Sequence, residues 1–255
     1  MSYAGRVSVA LCWAAVLNCV GVTSTLPDAV AAGGNSDEAW RALEQGDYKK
    51  ASSLLRPLAE AGDPEAQANY GALILEGLAG RSDPVEACKW FQRAADQGYA
   101  HGQDLFGECY YRGQGVPKEW SKAVEWYRKA AEQGDAGAQN NLGAMYSQGE
   151  GVAADTTEAV KWFERAALQG QPQAMHNLSK IYYDGRPGLP KDYRAAYKWT
   201  ILACAKGYQP ACMYPRALED EVTIRQLYEA TKELREWGEL HPDAMKRVQI
   251  GPRPK

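Results

Sequence analysis

AQNNLGAMYSQGEGVAADTTEAVKWFERAALQG, Ala138 to Gly170, decides the fold, because the chain prints the same pattern repeatedly. Trp126 stands 36 residues before Trp162, and Trp90 stands 36 before Trp126; Trp199 follows Trp162 by 37. Gly62, Gly98, Gly134, Gly170 and Gly207 keep the same step. A period of this size means that one supersecondary unit is stacked on copies of itself, which is how a solenoid is built. The expected fold is all-α: about four to five 36-residue helix-turn-helix repeats with a capping helix at the C-terminal end.

Within the unit, Ala138, Leu142, Gly143, Met145 and Tyr146 recur at spacings of 3 and 4, the mark of one helical face. We name this helix A. Gly77, Gly113, Gly149 and Gly185 close it, in positions that suit a left-handed C-cap. Helix B repeats an Ala/Trp/Ala pattern, as in Ala159, Trp162 and Ala166. Its Trp is expected to fill the wedge between helices. The small Gly143 column admits a neighbouring helix, so Ser179, standing in that column, predicts wider packing in the fourth unit.

Working outward, Asn35 or Ser36 can cap a first helix around Ala39, Trp40 and Leu43. A second helix runs from Tyr48 to Ala61, with Pro57 expected to kink it or shift its start. Residues 35–62 thus form an N-terminal capping hairpin, and 63–215 the repeats. Pro215 interrupts the short helix that Ala211 and Cys212 open. Residues 216–240 supply a capping helix that carries Leu227, Ala230, Leu234 and Trp237 on one side. Its start is marked by the capping box Thr223-Ile224-Arg225-Gln226. Residues 241–255 read as a flexible tail.

Residues 1–31 are a different material. Arg6 precedes an apolar run from Val7 to Val22, and Ala29-Val30-Ala31 follows as a small-residue cleavage site. That is the layout of a secretory signal peptide; an uncleaved anchor is the alternative. Export predicts a periplasmic or secreted protein with no stable membrane span once the signal is gone. The 255 residues carry a net charge of -3, which gives no electrostatic case for nucleic acid. Trp (8) and Tyr (15) far outnumber Phe (3), and rings with a polar tip suit a thin structure whose core lies near its edges.

The consensus A-x-x-x-L-G-x-x-Y-x-x-G-x-G-V-x-x-D-x-x-x-A-x-x-W-x-x-x-A-A-x-x-G is met in full by 138–170 and nearly so by the unit holding Gly113, Gly115, Val116, Trp126, Ala130, Ala131 and Gly134. It resembles the Sel-one-like repeat family, relatives of tetratricopeptide repeats. The resemblance spans about residues 47–215. It implies a right-handed α-solenoid, an adaptor role towards a protein or peptide partner, frequent export in bacteria, and no general catalytic residue set. Tetratricopeptide relatives line their concave groove with the helix A face opposite the core. That spacing names Ala68, Ala72, Leu75 and Glu76; Asp104, Glu108, Tyr111 and Arg112; Asn140, Ala144, Ser147 and Gln148; and His176, Lys180, Tyr183 and Asp184. Asn141 and Asn177 lie one column over and are expected to bond within their own repeats, with a peptide backbone as the alternative partner.

Cys88, Cys109, Cys204 and Cys212 remain after the signal. An even number in an oxidising compartment suggests pairs. Cys204 and Cys212 lie symmetrically about the turn at Gly207, and Cys88 and Cys109 about the turn at Gly98, so each pair faces across antiparallel helices. Four buried thiols is the other reading, because Cys88 shares its column with Val124 and Val160, and Cys109 with Met145. A cysteine-rich secreted branch of the resembled family has been described as penicillin-binding or β-lactamase-like, and Cys204 and Cys212 occupy the place of its cysteine pair. No Ser is followed three residues later by Lys, so the Ser-x-x-Lys of penicillin-binding enzymes is missing. His101, His176 and His241 do not stand at metal-ligand spacing, and no G-x-x-x-x-G-K-[ST] occurs. No catalytic residue, metal or cofactor is expected.

Overall fold

The computed structural model describes residues 33–212 and 223–240. The signal segment, Pro215 and the tail lie outside the described residues. A first hairpin pairs α1 (Gly33–Glu44) with α2 (Tyr48–Glu60). Four repeats follow: α3 (Pro64–Glu76) with α4 (Pro84–Asp96), α5 (Ala100–Arg112) with α6 (Trp120–Glu132), α7 (Ala136–Gln148) with α8 (Thr156–Leu168), and α9 (Pro172–Asp184) with α10 (Tyr193–Ala205). The short α11 (Gln209–Cys212) and the capping helix α12 (Ile224–Leu240) complete the described residues. From α1 to α11 each helix packs on the next in sequence, α12 packs on α10, and successive A helices (α3, α5, α7, α9) also touch one another. The A helices therefore line the inner face of the stack.

Local chemistry sets each boundary. Asp63, Asp135, Asp155 and Asp192 each cap the helix that follows, accepting a hydrogen bond from its first turn. Asp47 does the same at Lys50, so α2 begins where expected and runs on through Pro57, which is exposed near its end. The first helix starts at Gly33, two residues before the earlier of the two expected caps. Gly77, Gly113 and Gly149 close their A helices in the left-handed region. Gly185 has φ 67° but ψ 159°, and its turn is closed instead by paired backbone bonds between Arg186 and Leu189. That is where the one inserted residue of the fourth unit is absorbed.

The core of each of the first three repeats centres on the ring next to the Trp. Phe91, Tyr127 and Phe163 are among the largest fully buried side chains, while Trp90, Trp162 and Trp199 keep a narrow exposed edge and Trp126 a wider one. That edge is covered by cations: Arg93 lies 4.4 Å from the Trp90 ring centre, Lys129 3.8 Å from Trp126 and Arg165 4.5 Å from Trp162. Each cation follows its Trp by three residues, so it stands on the same helical face. The Gly column faces the buried rings. A Cβ on Gly143 would come within 2.8 Å of Phe163. Ser179 does not meet a ring. Thr200 stands in place of the aromatic, and the two hydroxyls bond at 2.5 Å. The expected wider packing is thus replaced by a matched pair of small side chains.

Two disulfides each join a B helix to the helix that follows it. Cys88 of α4 is bonded to Cys109 of α5 with Cα atoms 6.2 Å apart, and Cys204 of α10 to Cys212 of α11 at 4.8 Å. Both pairs straddle their turns as the symmetry argument requires. Glutamines tie the two ends of each of the first three repeats together and reach the helix before. Gln67, Gln103 and Gln139 accept from Gln97, Gln133 and Gln169, each 30 residues further on. Gln67 and Gln139 also donate to the carbonyls of Ala59 and Ala131, at the end of the preceding B helix. At the C-terminal end, α12 buries Ala230 and Leu234 and sets Trp237 edge-on to Trp199, 5.7 Å between ring centres. Arg194 and Glu233, 2.9 Å apart, tie α12 to α10. The capping box closes its start through Thr223 and Gln226.

Candidate functional site: the inner face of the A helices

Asp104, Glu108, Tyr111 and Arg112 follow one another at helical spacing along α5, so all four project from one face over two turns. Their neighbours come from three other elements. Asn141 of α7 donates to Asp104 Oδ1 at 3.0 Å. Tyr127 of α6 donates its hydroxyl to Glu108 Oε2 at 2.6 Å, and Arg112 pairs with Glu108 Oε1. Tyr111 is hydrogen-bonded to Glu150, which sits in the turn after α7. Oε2 of that carboxylate is buried.

The N-terminal end of α7 closes the group. Asp135 caps α7 through Ala138, while its second oxygen lies 3.8 Å from His101 Nδ1. A Cβ on Gly137 would stand 3.1 Å from Asp104 Oδ2 and 3.2 Å from Asp135 Oδ1. A side chain there would press on both carboxylates. The electrostatics follow from this crowding. Burial, helped by Asp135 and Glu108, holds the Asp104 carboxyl well above the usual carboxylate range, against the opposing effect of the Asn141 bond. Burial lowers the basicity of His101 even though Asp135 pulls the other way. Burial, then Glu108, makes the Tyr127 hydroxyl a weaker acid, and burial with Glu150 does the same to Tyr111.

The remaining expected positions fall in two sets. Asn140 accepts from Asn177 at 3.0 Å, and Ser147 and Gln148 stand two and one positions before the turn that carries Glu150. His176, Lys180, Tyr183 and Asp184 lie further along the stack on α9. His176 contacts the Tyr208 ring at 5.2 Å and Tyr183 the Tyr193 ring at 5.5 Å, so neither joins the α5 group. Asn141 and Asn177 do not bond within their own repeats as expected; each reaches back to the preceding A helix. Ala68, expected to line the groove, is fully buried. Asp135, Glu150 and Tyr127 were not legible as members. Asp135 reads as a helix cap, Glu150 as turn filler and Tyr127 as core; the hairpin brings Tyr127 to α5, and the stacking of repeats brings the other two. Among the described residues no group of three or more His, Cys, Asp or Glu could hold a metal ion.

A family model, the Sel1 repeat, matches residues 64–99, 100–135, 136–171 and 172–208, in register with the four helix pairs. A Sel1 repeat protein from Oxalobacter formigenes is similar in structure, with 29% identity, a TM-score of 0.66, and coverage of 82% of this chain and 86% of that one. A protective antigen of uropathogenic Escherichia coli displaying an SLR fold is 29% identical, with a TM-score of 0.50 over 82% of this chain and 53% of its own. An F-box protein of Arabidopsis thaliana is 37% identical over 73 residues, 29% of this chain. The match spans only 20% of that curated relative.

Proposed function

The chain belongs to the Sel1 repeat family, whose repeats are typically protein-interaction modules, and we propose that it is an exported, non-enzymatic adaptor holding a protein segment on its inner face. The observation that carries this reading is the continuous face of A helices. It presents carboxylates, amides and a tyrosine on adjoining turns of α5 and α7 without a nucleophile-and-base arrangement. Groups of that kind bind backbone amides and side chains. The partner is a protein or peptide, not nucleic acid.

Two observations support export. The four cysteines outside the leader are paired in two disulfides, which persist in oxidising compartments. The leader has the charge, apolar run and small-residue site of a signal peptide. No helix among the described residues is long and apolar enough to cross a membrane. The periplasm or the extracellular space is the site of action.

The test is capture of partners by the mature protein, compared with a Tyr111→Ala/Tyr183→Ala variant whose helix content is checked by circular dichroism. Loss of partners in the variant is expected; undiminished recovery defeats the groove assignment. One observation favours a second reading, the Cys204–Cys212 bond in the place of the cysteine pair of the penicillin-binding branch. Turnover of nitrocefin, or a covalent penicillin label, would establish it.

A further inference from the structure

The two disulfides differ in access and in what depends on them. Cys88 and Cys109 are 2% and 3% exposed, and the Gln114 carbonyl, in the turn after α5, lies 2.8 Å from Cys88 Sγ. Cys204 and Cys212 are half-buried, at the end of α10 and on the short α11. Thiol–disulfide exchange needs a thiolate to reach a sulfur, so the second bond is the one a dissolved reductant meets.

The helices they hold are unequal too. α5 has 13 residues and buries Gln103 and Phe106 besides Cys109, so its packing outlasts the bond. α11 has four residues, of which Ala211 alone is buried. A helix that short does not stand by itself. Besides the disulfide it is seated by Ala211 and by the neighbouring Tyr208, whose ring lies 5.2 Å from that of His176 on α9.

We propose that Cys204–Cys212 is a redox-sensitive latch. A dithiol reductant opens it while Cys88–Cys109 stays closed; α11 then unwinds and Tyr208 leaves His176, which opens the C-terminal end of the inner face. In the exchange, a thiolate of the dithiol attacks one sulfur, forming a mixed disulfide and releasing the other sulfur as a thiolate, which takes a proton. The second thiol of the reductant gives up its proton and attacks the mixed disulfide. The reductant leaves as its own disulfide, and Cys204 and Cys212 are left as thiols. An oxidised dithiol closes the bond by the same steps in reverse. In the oxidising setting proposed above, the closed state is the resting one.

The test treats the folded mature protein with graded dithiothreitol, alkylates the free thiols and maps them by mass spectrometry. Cys204 and Cys212 should be alkylated about tenfold faster than Cys88 and Cys109. Amide hydrogen exchange across residues 208–212 should then rise about tenfold, with α5 unchanged, and fall back on reoxidation. A Cys204→Ser/Cys212→Ser variant should show the fast exchange without reductant. Its His176 should react about threefold faster with diethyl pyrocarbonate, while His101 reacts as before. Equal or reversed alkylation of the two pairs overturns the proposal, and so does unchanged exchange at 208–212 or unchanged reactivity of His176 in the variant.

Discussion

Asn141 donates its side-chain amide to Asp104 across the seam between α5 and α7 at 3.0 Å, and one repeat later Asn177 makes the same bond to Asn140 at the same distance. Equivalent places in two repeats thus carry an acid and its amide, which makes Asp104→Asn a clean probe of charge. The Asp104 carboxyl is raised above its ordinary value, chiefly by burial. The unfolded chain therefore ionises first as pH rises, and stability is lost between the ordinary carboxylate range, about 4, and the higher folded value. Asp104→Asn removes that loss. Its melting temperature should match the wild type near pH 4 and exceed it at pH 7.5. A gap that does not grow with pH would refute the assignment.

The disulfides should contribute unequally. The chain-entropy model gives about 3.3 kcal/mol for the loop closed by Cys88 and Cys109 and about 2.5 kcal/mol for that closed by Cys204 and Cys212. Their sequence separations are 21 and 8. Cys88→Ser/Cys109→Ser should therefore lower the urea midpoint more than Cys204→Ser/Cys212→Ser. Equal midpoints would show that loop entropy does not set the order.

Gly143 and Phe163 should couple strongly. A serine at 143 drives its Cβ into the ring, whereas the fourth repeat pairs Ser179 with Thr200. Phe163→Thr alone should cost about 3–5 kcal/mol through the cavity it leaves. Gly143→Ser should cost about 1–3 kcal/mol through overpacking. The double variant should be less unstable than the sum by about 1 kcal/mol or more, because it recreates the pair of the fourth repeat. Denaturant titration of all four proteins checks this, and simple additivity would refute it.

The capping helix should loosen on its own. α12 meets the repeats through Ala230, Leu234 and Trp237, with Trp237 edge-on to Trp199. Trp237→Ala should raise amide hydrogen exchange across residues 224–240 while leaving α5 to α8 protected. Faster exchange throughout the repeats would mean that the cap and the solenoid unfold as one unit.

The period alone was enough to read the repeat count, the helix pairs and the glycine caps. Each of these rests on local chemistry printed several times over: Asp at helix starts, Gly at left-handed ends, and Ala and aromatic residues at spacings of 3 and 4. The cysteine pairs were also within reach, because positions symmetric about a short turn must face each other. What tertiary structure decided lies between repeats. Asn141 and Asn177 bond backwards rather than within their own unit, and Asp135 and Glu150 reach α5 from 31 and 39 residues beyond Asp104 and Tyr111 respectively. A column pattern records what each residue does within its own unit. It does not record which side chain of the next unit comes to lie beside it, because that depends on how far each repeat is turned on the last. Each carboxylate alone reads as an ordinary cap, turn or surface residue, and only stacking sets Asp135 beside Asp104 and Glu150 beside Tyr111.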